Sequence, residues 1–115
     1  MNIVHVIFSF DIGGSQAMLV DIANEQSKKG NVSLIIVNNV YSNELLNKLN
    51  SDVKVFLIRR EPSSKNIINF IRTNILLYKL KPDVIHCHNF DLAPLLIPFK
   101  RKLYLTVHAI GINTK

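Results

Sequence analysis

One cysteine, Cys87, is all the chain has, so an internal disulfide framework is excluded and a reducing compartment is the expectation. Tryptophan is absent, and basic residues do not interleave with aromatic ones; no nucleic-acid-binding motif is present. No apolar run approaches the roughly 20 residues that cross a bilayer. Residues 1–11 lack both a basic start and a small-residue cleavage site, so they do not read as a signal peptide. The expected location is therefore the cytoplasm. Neither G-x-G-x-x-G nor G-x-x-x-x-G-K-[ST] occurs, which removes the dinucleotide fingerprint and the Walker A loop. Metal motifs of the C-x-x-C or H-E-x-x-H kind are missing too.

What is present suits a folded domain. Apolar residues make up 48% of the 115 and charged ones 19%, enough to build a core and too apolar for disorder. This length is one domain, and a two-domain enzyme is excluded for these residues as they stand. Charge is uneven: residues 41–81 hold eight of the 14 Lys and Arg against three of the eight acidic residues. A basic middle points to an anionic partner such as phosphate or a membrane surface.

Element types alternate along the chain. Residues 2–8, 32–37, 53–58, 83–88 and 103–108 are short apolar runs rich in β-branched residues, as strands buried on both faces require. Between them lie helical stretches at 15–29, 43–50, about 63–80 and 91–97. Ser15 is the expected cap of the first, with Met18, Leu19, Ile22 and Ala23 on one face. Ser63 or Ser64 opens the third, Ile67, Ile71, Ile75 and Tyr78 form its stripe, and Pro82 stops it. The pattern predicts an α/β fold: a Rossmann-like parallel sheet of about five strands, order 3-2-1-4-5, flanked by helices. A last strand without a covering helix leaves a sheet face bare. The expectation is a fragment, or the first part of a longer architecture.

In open α/β sheets, ligands gather outside the carboxyl ends of the strands. There the order brings together Ser9, Asp11, Gly13, Gly14 and Ser15 after the first strand, His88, Asn89 and Asp91 after the fourth, and His108 and Gly111 after the fifth. The Gly13-Gly14-Ser15 loop either lets an anion approach bare backbone at a helix start or is a turn that needs glycine. His86 and His88 share one strand face and Cys87 takes the other. Two ligands are too few for zinc, so no metal is expected. His5, in mid-strand, reads as a core residue, and His86 as a satisfied, partly buried one. His88 and His108, at strand ends, are the candidates to meet a polar ligand. Lys65, Arg72 and Lys79 recur every seven residues along the third helix. With Arg59 and Arg60 they either meet anionic lipid head groups or form a solvated polar face.

The runs FDIGGSQAMLVDIANEQSKKG (10–30), KPDVIHCHN (81–89) and LTVHAIG (105–111) together resemble the N-terminal half of family 4 glycosyltransferases, retaining enzymes of the GT-B fold. The resemblance implies sugar transfer from a nucleotide-sugar donor to an acceptor, a glycan or lipid-linked sugar, bound mainly by this acceptor-side domain. It implies roles for Gly13, Gly14 and Ser15 in the donor-phosphate loop. His108 would lie near the transferred sugar, and His88 with Asn89 beside the acceptor cleft. It implies no cofactor and no metal, with the nucleotide-sugar as co-substrate, and a setting such as cell-envelope polysaccharide synthesis on the inner face of the cytoplasmic membrane. Asn31 and Asn89 depart from the usual family residues. The nucleotide-binding C-terminal domain is not in these residues, so the chain alone is expected to be inactive. The alternative is a stand-alone binding module for a phosphorylated sugar, another anionic ligand or a membrane surface.

Overall fold

The structure is a computed structural model that describes residues 2–11, 14–88 and 103–105. The apolar runs become parallel strands: β1 (Asn2–Ile7), β2 (Asn31–Asn38), β3 (Lys54–Arg60) and β4 (Val84–Cys87). Between them run helices α1 (Gly14–Ser27), α2 (Asn43–Asn47) and α3 (Ile68–Leu80). The four strands lie in the order 3-2-1-4, all parallel. A three-residue segment, β5 (Leu103–Leu105), runs parallel beside β4, with Ile85 opposite Leu103. Residues 106–108 of the expected fifth strand, and the helix expected at 91–97, lie outside the described residues.

Strand parity sorts the core into two layers. Val4, Val6, Ile35, Val37, Ile58, Ile85 and Cys87 face α3, where Leu77 packs among them. Ile7, Val32, Leu34 and Ile36 face α1 and α2, against Leu19, Val20, Ala23 and Leu45. The central strands are covered on both sides, which is why their sequences run apolar without alternation.

The helices depart from expectation at their ends and faces. α1 begins at Gly14, so Ser15 sits in the first turn rather than at the cap. Its core face is Leu19, Val20 and Ala23, whereas Met18 is 53% exposed. Ser42 caps α2, its hydroxyl accepting from the Leu45 N–H at 3.3 Å. α3 starts four residues later than Ser64, because that residue is engaged otherwise. The Ser64 carbonyl accepts from Arg60, and its hydroxyl accepts from the Asn66 N–H. Lys81 ends α3 in the left-handed conformation, φ 50°, with its N–H on the Leu77 carbonyl, and Pro82 follows.

The face of α3 is the larger correction. Ile67, Ile68, Ile71, Ile75 and Tyr78 are all exposed. Thr73 and Leu77 are the buried positions, with Phe70, Leu76 and Leu80 half-buried beside them. The isoleucine stripe therefore points away from the sheet, and the helix has apolar residues on both sides.

Candidate functional site

Strand order reverses between β1 and β4, since β2 and β3 extend to one side of β1 and β4 lies on the other. In open α/β sheets, ligands bind outside the carboxyl ends of the strands at such a point. Main-chain bonds fix the exits of both strands. The Phe10 N–H donates to the Val40 carbonyl at 3.0 Å and the Ser42 N–H to the Phe10 carbonyl at 2.7 Å, so the exit of β1 is tied to the exit of β2. The His88 N–H donates to the Val6 carbonyl at 3.0 Å, holding the exit of β4 beside β1.

Of the expected loop residues, Gly14 and Ser15 are the first two residues of α1, the helix that follows β1. His88 follows the last residue of β4 and is 6% exposed. Gly13, Asn89 and His108 lie outside the described residues. Lys65, Arg72 and Lys79 are exposed, on and just before α3. Arg60 is not available to a lipid. Its Nη1 donates to Asn38 Oδ1 at 2.7 Å and its Nη2 to the Ser64 carbonyl at 2.9 Å, while the guanidinium lies 5.0 Å from the Phe70 ring centroid.

Below the rim, sheet register assembles a group that the sequence reading divides between core and rim. His5 on β1 is the direct register partner of His86 on β4. His88, two residues on, shares their face, so three imidazoles meet on the α1 side of the sheet. The His86 and His88 rings stack with centroids 4.5 Å apart, and His5 lies 5.2 Å and 5.1 Å from them. One side-chain nitrogen of each lies within 4.8 Å of the others.

The hydrogen bonds set the tautomers. Gln26 Oε1, from the last turn of α1, lies 2.7 Å from His5 Nε2 and can only accept, so His5 carries its proton there. His5 Nδ1 is then the acceptor from His88 Nε2–H at 2.9 Å. Burial pushes the His5 pKa down from 6.5 to about 4; the Gln26 bond opposes this, and His86 adds to it. His5 is accordingly neutral at physiological pH. The expected strand order already sets β1 beside β4; the missed signal is the register that puts residue 5 opposite residue 86.

Compared with family models, with curated proteins and with solved structures, the chain matches none. Among the described residues, no helix is long and apolar enough to cross a membrane.

Proposed function

We propose that the chain is the acceptor-side domain of a retaining glycosyltransferase of the GT-B fold, transferring a sugar from a nucleotide-sugar donor to a glycan or lipid-linked acceptor. What carries the reading is the adjacency of β1 and β4, whose exits bring the start of α1 and His88 to one end of the sheet. A glycine-opened helix start offers N–H groups to a phosphate. A strand-end histidine offers a donor or acceptor to a sugar hydroxyl. The motif order across 10–30, 81–89 and 105–111 supplies the rest, with His108 near the transferred sugar and Asn89 beside His88. The full fifth strand belongs to the same proposal, as does a metal-independent reaction completed by a second, nucleotide-binding domain.

An amide NMR titration of the chain with nucleotide-sugars, simple glycosides and sugar phosphates tests this reading. Shifts gathered at Val6 to Phe8, Gly14 to Gln16 and Cys87 to His88 are expected. Shifts at the opposite rim, around Asn2, Asn31 and Lys54, or none across the panel, overturn it.

A second observation favours an anionic membrane surface as partner, either for such an enzyme or for a stand-alone module. At 100° per residue, Ile67, Tyr78, Ile71, Ile75 and Ile68 fill one exposed arc of the α3 axis, and Lys79 and Arg72 border it on one side, with Lys65 exposed just before the helix. Apolar residues flanked by a basic row match the interface between acyl chains and anionic head groups. The reading includes peripheral association with the inner face of the cytoplasmic membrane.

A further inference from the structure

We infer that His5, His86 and His88 form a binding site for one divalent transition-metal ion of the zinc type. The inference shares His88 with the sugar-transfer reading but does not depend on it, because it uses the face beneath α1 and asks nothing of a donor or acceptor.

Geometry comes first. Two of the three residues sit on neighbouring strands in the middle of the sheet, and the third is held by its own N–H on the Val6 carbonyl. Their positions are thus set by backbone pairing, which gives the preorganisation that a metal site needs. One nitrogen of each falls within a 4.8 Å group. Ligand nitrogens at about 2.0–2.1 Å around a tetrahedral zinc ion are roughly 3.3 Å from one another. The 2.9 Å between His5 Nδ1 and His88 Nε2 needs to open by only a few tenths of an ångström for an ion to replace the shared proton. His88 would then carry its proton on Nδ1, so no net charge change on the imidazoles is required.

The surroundings agree. A metal-bound histidine typically donates its other ring N–H to a carbonyl or carboxylate, which fixes tautomer and ring orientation. Gln26 Oε1 provides that partner for His5 Nε2 at 2.7 Å and leaves Nδ1 to face His88 Nε2. Three nitrogen donors without a carboxylate or thiolate suit zinc, cobalt, nickel or copper, and not magnesium or calcium. Cys87 is no ligand, since it lies in the opposite core layer with Val4 and Ile85. His86 is only half-buried, which gives an ion a way in. Packing alone does not call for these residues, because the same strands fill their other buried positions with valine, isoleucine and Cys87.

The test is a titration of the untagged, chelator-stripped chain with Co2+ and then Zn2+. Expected are the visible absorption of a tetrahedral cobalt centre, displacement by one equivalent of zinc per chain, and a raised Tm with zinc bound. His86→Ala and His88→Ala, checked for fold by amide NMR, should each weaken zinc binding by more than about tenfold, and Gln26→Leu by about tenfold. Wild-type chain that binds neither ion more tightly than about 10 μM overturns the inference. So does binding left undiminished in folded His86→Ala and His88→Ala. The wild-type titration decides the matter even where a variant fails to fold.

Discussion

His5 and His88, 83 residues apart in sequence, share a hydrogen bond of 2.9 Å on the α1 side of the sheet. That bond crosses from β1 to the exit of β4, where strand order reverses among the described strands. It continues through His5 to Gln26 in the last turn of α1. A single chain of contacts thus joins the covering helix, the central strand and the exit of β4.

Acid should loosen the metal-free protein through His5. Its folded pKa of about 4 lies below the ordinary 6.5, so between those values the unfolded chain binds a proton that the folded chain does not. Stability from this group is complete above about pH 6.5 and is lost progressively toward pH 4, in total roughly 3 kcal/mol. His86, His88 and Gln26 are the groups that face it. Urea unfolding with chelator present, at about pH 7 and about pH 4.5, should show a smaller loss for His5→Gln than for the wild type. Equal losses would remove His5 as the cause.

Arg60 should matter far more than its neighbour Arg59. Its guanidinium joins Asn38 on β2, the Ser64 carbonyl before α3 and the faces of Phe8 and Phe70. Asn38 in turn donates to Ser9 Oγ at the exit of β1. Lysine lacks the planar fork that makes these contacts together. Arg60→Lys is expected to lose about 1–2 kcal/mol and Arg60→Ala about 2–3, measured by chemical denaturation. Arg59, exposed with φ 65°, should accept glycine without loss. Equal effects at 59 and 60 would refute the assignment.

Lys81 offers a gain. It closes α3 at φ 50°, where any side chain beyond glycine is disfavoured. Lys81→Gly should raise stability by about 0.5–1 kcal/mol, whereas Lys81→Val should lower it by at least as much. Thermal melts of the two variants against wild type check the sign.

These positions show how far the sequence can be read. Four parallel strands in the order 3-2-1-4 were legible because strands covered on both faces are mostly apolar: 32–37 is interrupted only by Ser33 and 53–58 only by Lys54. The start of α3 was not, because the side chain that occupies the Ser64 carbonyl comes from Arg60, and no local rule signals it. Its outward isoleucines misled for a different reason. Helical periodicity reports that a face is apolar, not which of two apolar faces meets the sheet. The histidine cluster required register as well as parity: His86 and His88 share a face on any strand, but His5 joins them only when β1 lies beside β4 with residue 5 opposite residue 86.

The outward face of α3 leads to the last prediction. Tyr78 is 75% and Ile67 67% exposed, an orientation that costs stability in water compared with a polar surface or a covered one. A membrane would cover it, and each basic residue close to an anionic surface contributes about 1 kcal/mol. Removing Lys65, Arg72 and Lys79 together as alanines should therefore weaken binding to anionic vesicles by roughly a hundredfold. Ile71→Glu should weaken it on neutral and anionic vesicles alike, because it removes insertion rather than attraction. Co-sedimentation at low and high salt separates the two contributions, since screening acts on the basic row and leaves the isoleucines untouched. Binding that ignores both salt and lipid charge would leave the basic row as a solvated face. No sedimentation with anionic vesicles at low salt would reject the membrane reading altogether, and the exposed arc would then need a protein to cover it.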